Sequence, residues 1–199
     1  RFLLTLHALG FVKRTGRQFE LTPRGLQLGY AYQASNQYRA VIQQYLEDVT
    51  AELGESSSLA VLDGDDVVYV VRSAARHRLM AITLSVGTRL PAAYTSMGRV
   101  LLAQLPDNEL KAYLDRVRLE PFTEFSITDK QALRNEIDKV REQGYAMVDQ
   151  ELDQGLRSVA VPAFAGSGEL LGALNISTNA ARVDMDTLMN AYLPRLQDV

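Results

Sequence analysis

The sequence predicts an α+β fold, an antiparallel sheet with helices packed on it, preceded by a small basic head. Three observations carry this expectation. Strand-like stretches come in two runs of three, with helices between and around them, a block pattern that favours antiparallel pairing over alternating βαβ units. The first 40 residues hold six basic side chains (Arg1, Lys13, Arg14, Arg17, Arg24, Arg39) against one acid, Glu20, while the remainder carries 15 basic and 23 acidic residues. Finally, 47% of the 199 residues are hydrophobic, enough for a sizeable core in a medium unit plus a small one.

The head comes first. Phe2, Leu3, Leu6 and Leu9 follow helical spacing up to a Gly10 stop, and the chain opens in mid-helix without a Met, so the front of this module is expected to be missing. Phe11–Lys13 and Phe19–Leu21 then read as two short strands around a turn containing Thr15 and Gly16, with Arg14 and Arg17 at its tip. A helix followed by a basic-tipped hairpin is the pattern of a truncated winged helix-turn-helix. There Arg1, Lys13, Arg14 and Arg17 would meet DNA, because phosphates are bound chiefly through Lys and Arg.

Thr22 as N-cap and Pro23 at the first helical position predict a short helix. Ser35 and Asn36 suggest a second cap, and Tyr38, Val41, Ile42, Tyr45, Leu46, Val49 and Leu53 recur at helical steps until Gly54. This long helix is the expected linker. Composition turns from basic to acidic there, which sets residues 1–35 apart as head and start of linker, and 36–199 as linker helix plus the α+β unit.

Within that unit, Ser58–Leu62 and Val67–Arg72 form a hairpin around Asp63, Gly64 and Asp65, and residues 80–86 supply a third strand. A helix from about Tyr94 to Leu105, another from Pro106 to Val117, and a third with Thr128 and Gln131 as capping box and Gly144 as stop follow. Strands at 145–149, 158–164 and 170–178 form the second run, and Asp184 caps a terminal helix.

Several classes of chemistry are excluded or disfavoured. Cysteine is absent, which removes disulfides and thiolate sites, and His7 and His77 are too few for a histidine-rich metal centre, so neither metal nor cofactor is expected. With no long apolar run and no signal-peptide pattern, the expected location is the cytoplasm, away from membranes. Ser96-Met97-Gly98-Arg99 has the spacing of a Ser-x-x-Lys nucleophile motif, but arginine stays protonated and cannot act as the base. A hydrolase using Asp149 and Glu151 as an acid/base pair, or a binding domain with no DNA role, remain as alternatives.

The helix that opens on Tyr94-Thr95-Ser96-Met97-Gly98 offers free backbone N–H groups and a positive dipole end, which suits a small anion. Thr95 or Ser96 could equally cap it, and the two readings are compatible. Asp149 and Glu151 lie two apart, Ser158 opens the next strand, and Asn175 and Ser177 share one strand face while Leu174 and Ile176 take the other. Arg89 and Arg157 are candidate carboxylate partners or ordinary surface residues.

The stretches "LGFV" with its basic wing, "LTPRGLQLG", "GTRLPAAYTSMGRVLLA", "DQELDQGLRSVAVP" and "GALNIS" together resemble the IclR family of bacterial transcription regulators. The similarity spans essentially the whole chain, and "AAYTSMGRVLLA" is most like the branch that controls protocatechuate and 4-hydroxybenzoate breakdown through the β-ketoadipate pathway. The resemblance implies a winged-helix domain joined by a helix to a GAF-like effector domain, acting as a homodimer or homotetramer on promoter DNA. It also implies a pocket for a small aromatic or dicarboxylic acid at Ser96, Met97 and Gly98, with Asp149, Ser158, Asn175 and Ser177 as polar wall and Leu79 and Ile82 as apolar lining. No catalysis is expected.

Overall fold

The computed structural model describes residues 1–34, 38–75 and 84–198. They divide into two compact units, Arg1–Val41 and Ile42–Val199. The boundary expected between residues 35 and 36 lies outside the described residues, as does the cap expected at Ser35 and Asn36.

The first unit holds helix α1 (Phe2–Ala8), strands β1 (Val12–Thr15) and β2 (Gln18–Leu21), and helix α2 (Gly25–Ala34). Gly10, at φ +79°, ends the first helical run, as expected of a glycine there. The strands pair antiparallel with Lys13 opposite Glu20, and Gly16 and Arg17 form the tip. Thr22 does not cap a helix: its hydroxyl donates to Gly10 O at 2.6 Å, and α2 starts three residues later at Gly25. Helix α3 (Tyr38–Leu53) runs on into the second unit and stops at Gly54, whose φ of +70° suits glycine.

The second unit is a six-stranded antiparallel sheet in the order β5-β4-β3-β8-β7-β6. Its strands are β3 (Ser56–Asp63), β4 (Asp66–Ser73), β5 (Arg89–Pro91), β6 (Ala146–Asp149), β7 (Leu156–Phe164) and β8 (Leu170–Asn179). Of the strand expected over 80–86, residues 80–83 lie outside the described residues and Leu84–Val86 form no strand; among the described residues the third strand of the first run is Arg89–Pro91. Pairing with β4 begins only beyond Gly87, which at φ +89° turns the chain and donates its N–H to Tyr69 O at 2.8 Å.

Both faces of the sheet are covered. On one lie Leu59, Leu174, Ile176 and Val159, buried with Leu46 and Val49 of α3 and with Leu188 and Leu196 from the terminal helical segment, Met185 to Gln197. Ser57 joins that side by donating to Leu46 O, and Asp184 caps the segment through Thr187 N, as its sequence predicts. On the other face lie helices α4 (Ser96–Ala103), α5 (Asp107–Arg116) and α6 (Lys130–Gln143). Every residue of α4 is buried, because it fills the layer between the sheet and α6. Helix α6 ends at Gly144 with φ +80°, but its start differs from expectation. Asp129 is one residue closer to the helix than Thr128 and accepts from Ala132 N at 2.8 Å, while Gln131 bonds Asn135 instead of closing a capping box.

Candidate functional site

Strand alternation puts an unusual set of small polar side chains on the α4 face. Directly opposed residues share a face, so the pairs Ser58–Asn175, Ser56–Ser177 and Ser177–Ser158 lay a polar band across β3, β8 and β7 in an otherwise apolar layer. Where this band meets the start of α4 there is a pocket of about 320 Å³, counted with its mouth. Ser158, Asn175 and Ser177 form its floor, and Thr95, Ser96 and Met97 its roof. Tyr69 and Leu90 close one side, Val148, Leu152 and Leu156 the other.

The pocket's polar groups are incompletely satisfied. Asn175 Nδ2 donates to Ser177 Oγ at 2.8 Å, but the buried Asn175 Oδ1 and Ser96 Oγ have no hydrogen-bond partner among the described residues. Buried polar atoms without partners are uncommon and costly in folded proteins. Burial also pushes the Tyr69 phenol up to about 12.

The roof is built by a tight contact. Pro91 leads into a single 3-10 turn, Ala92–Tyr94, and Thr95 then caps α4 by accepting from Gly98 N at 3.0 Å. A Cβ on Gly98 would stand 2.0 Å from Ala92 O, so only glycine lets α4 rest on the preceding turn. The glycine's place is therefore structural. Its N–H is taken by Thr95 and does not face the pocket, whereas Ser96 and Met97 line it.

Other expected site residues fall elsewhere. The Asp149 carboxylate is gripped by Arg157 through two hydrogen bonds of 2.8 and 2.9 Å and is absent from the pocket wall. Arg157 is thereby occupied, and Arg89 is held by Asp63 and Asp66, so neither guanidinium is free for a ligand. Leu79 and Ile82 lie outside the described residues. In the first unit Arg1, Lys13, Arg14 and Arg17 are all exposed, with Lys13 paired to Glu20 at 3.0 Å and Arg14 Nε donating to Gly16 O.

One element was invisible in the sequence. Arg99 on α4 and Glu151, just after β6, form a buried ion pair at 2.5 Å, with side chains 2% and 10% exposed. Arg99 Nε also donates to Ala93 O, and Glu151 O accepts from Ser126 Oγ at 2.6 Å. The pair thus ties the roof turn, α4 and the loop bearing Leu152 into one frame. Gln150 starts that loop at φ +60°, a rare backbone state for a residue with a side chain, and its Oε1 accepts from Gly155 N at 3.0 Å.

Comparison with known proteins decides the family. Residues 30–199 match the model of the bacterial transcriptional regulator IclR C-terminal domain. The chain belongs to the IclR family. The Pca regulon regulatory protein of Pseudomonas putida is 45% identical over 196 residues, covering 98% of this chain and 67% of that protein. The p-hydroxybenzoate hydroxylase transcriptional activator of Acinetobacter baylyi is 32% identical over 202 residues, covering 100% and 74% respectively. Among solved structures, a transcriptional regulator of Rhodococcus sp. RHA1 superposes with a TM-score of 0.83 at 47% identity, covering 100% of this chain and 79% of that one. The inducer-binding domain of a PobR double mutant from Acinetobacter, in complex with 3-hydroxybenzoic acid, gives a TM-score of 0.74 at 30% identity, covering 80% of this chain and 93% of that one.

This IclR-family chain is a regulator of transcription and not an enzyme. The hydrolase alternative also lacks a geometric basis, since Asp149 and Glu151 face different arginines instead of each other. Among the described residues no cluster of three His, Asp or Glu could hold a metal, and no helix is long and apolar enough to cross a membrane.

Proposed function

We propose that this chain senses a small aromatic or dicarboxylic acid in the pocket beneath α4 and so controls genes of aromatic-compound catabolism in the β-ketoadipate pathway. The observation that carries the reading is the pair of unsatisfied buried atoms, Ser96 Oγ and Asn175 Oδ1, in residues lining one cavity. Apolar walls with a few placed polar groups are the usual make-up of a small-molecule site. The regulators of the Pca regulon and of p-hydroxybenzoate hydroxylase among its relatives support an acid of that class.

In this reading residues 1–35 are the later part of a winged helix-turn-helix, and Arg1, Lys13, Arg14 and Arg17 meet promoter phosphates. Residues 36–199 are the linker helix and a GAF-like effector domain, and the protein works as a homodimer or homotetramer in the cytoplasm. Ligand changes DNA binding only by its different affinity for two arrangements of the subunits. Ser96, Met97, Ser158, Asn175 and Ser177 contact the effector, while Gly98 and Asp149 support the site from outside it.

Calorimetric titration with protocatechuate, 4-hydroxybenzoate and β-ketoadipate tests this. At least one is expected to bind, and Asn175→Ala to weaken it about tenfold through loss of a buried hydrogen bond. Binding of none of the three refutes the proposed effector class.

A further inference from the structure

We propose that Arg72 is the cation that receives the effector's carboxylate and restricts the pocket to acids, an inference that rests on the ligand-binding reading above. Arg99, Arg134, Arg141, Arg157 and Arg195 each face a carboxylate. Half-buried Arg72 faces none among the described residues: its Nη1 donates to Ser58 Oγ at 2.9 Å, and its buried Nε has no partner. Burial pushes its pKa down, and among the groups acting on it only the Tyr69 phenol opposes that effect. A guanidinium left in this condition is a strong site for a planar, bidentate anion.

The strand geometry sets it on the pocket's side of the sheet, next to the lining residue Tyr69, while Arg72 and Ser58 themselves stand just outside the present lining. Between the pairs Leu59–Val71 and Ala60–Tyr69 one residue of β4, Val70, is unmatched. This bulge shifts the alternation by one, so Tyr69 and Arg72, three apart, come to the same face, with the guanidinium 5.9 Å from the Tyr69 ring centre. That face is the pocket's, because Ser58, which holds Arg72, is paired across the sheet with Asn175. A continuous polar row therefore runs from Arg72 through Ser58 to Asn175 and Ser177. A hydroxybenzoate would set its carboxylate on Arg72 and its ring against Tyr69. Its hydroxyl oxygens would reach Asn175, Ser96 and the positive end of α4, where a dicarboxylate would place its second acid group.

The test is calorimetry on the 199-residue chain with protocatechuate and with its uncharged primary amide. Wild-type protein is expected to bind the acid at least about tenfold more tightly than the amide. Arg72→Gln should weaken the acid at least about tenfold, leave the amide within about threefold, and so erase the preference. Ser58→Ala, which keeps the charge and loses its clamp, should weaken the acid by roughly threefold. If Arg72→Gln does not fold, Arg72→Lys replaces it, with the acid preference retained at about tenfold lower affinity. An undiminished preference for the acid in Arg72→Gln, an undiminished acid affinity in Arg72→Lys, or equal binding of acid and amide by the wild type overturns the role of Arg72 and leaves the pocket intact. If the wild type binds neither compound, 4-hydroxybenzoate and β-ketoadipate are titrated with their amides in turn, and failure of all three acids overturns the ligand reading and this inference with it.

Discussion

Glu151→Gln isolates the frame around the pocket. The substitution keeps shape and polarity but leaves the Arg99 guanidinium, 2% exposed, buried without its counter-charge. Breaking one side of a buried ion pair costs about 3–5 kcal/mol, far more than the pair contributes relative to a well-packed apolar replacement. For a domain of this size each kcal/mol lowers Tm by roughly 2–4 °C, so the midpoint should fall by about 10 °C. Urea unfolding followed by circular dichroism should show a midpoint lower by roughly 2 M if m is near 2 kcal/mol/M. Arg99→Met/Glu151→Met separates charge from packing, since removing both charges should recover most of the stability lost in Glu151→Gln. Because Glu151 also anchors the loop carrying Leu152, protocatechuate affinity should drop in Glu151→Gln and return in part in the double variant. A Glu151→Gln midpoint within about 1 °C of wild type, or a double variant as unstable as the sum of its single changes, would refute the reasoning.

Gly98→Ala should destabilise the second unit by more than the roughly 1–3 kcal/mol of ordinary overpacking, because the new methyl meets the Ala92 backbone at 2.0 Å and no side chain can move aside; thermal unfolding measures it, and a cost under 1 kcal/mol contradicts the contact. On the acid side, the hydrogen bond from Arg141 holds Asp107 below the ordinary carboxylate range, and bonding to Thr187 does the same for Asp184. Both depressed values make the folded state the poorer proton acceptor, so their contribution is complete above about pH 4 and is lost as pH falls through the folded values. Asp107→Asn/Asp184→Asn should therefore show a shallower loss of urea midpoint between about pH 4 and 2.5 than wild type, and parallel curves would exclude these two groups.

Much of the architecture was legible because local chemistry agreed with the final packing. Gly10, Gly54 and Gly144 end helices where a positive φ is needed, and Asp184 caps where its side chain reaches the Thr187 amide. The misses share a cause: tertiary pairing chose between local options of similar worth. Asp129 took the cap from Thr128 by lying one residue nearer the helix, and among the described residues the strand after the first hairpin is Arg89–Pro91, beyond the Gly87 turn. The α4 start and the Ser158, Asn175 and Ser177 band were visible as small polar residues in apolar surroundings. The pairing of Arg99 with Glu151 and the half-buried place of Arg72 were not, since a charge that is buried in space reads in one dimension like any surface charge. The one-residue bulge at Val70, which brings Tyr69 and Arg72 to one face of the sheet, leaves no sequence mark at all.

The serines of the α4 face have a consequence for how such regulators diversify. Each of Ser56, Ser58, Ser158 and Ser177 occupies little more room than alanine, so exchanging one for alanine, threonine or cysteine changes chemistry at a single point while the strands keep their spacing. Such exchanges are not free, because Ser56, Ser58 and Ser177 accept hydrogen bonds from Ala75 N, Arg72 Nη1 and Asn175 Nδ2, and alanine at any of the three leaves a donor in want of a partner.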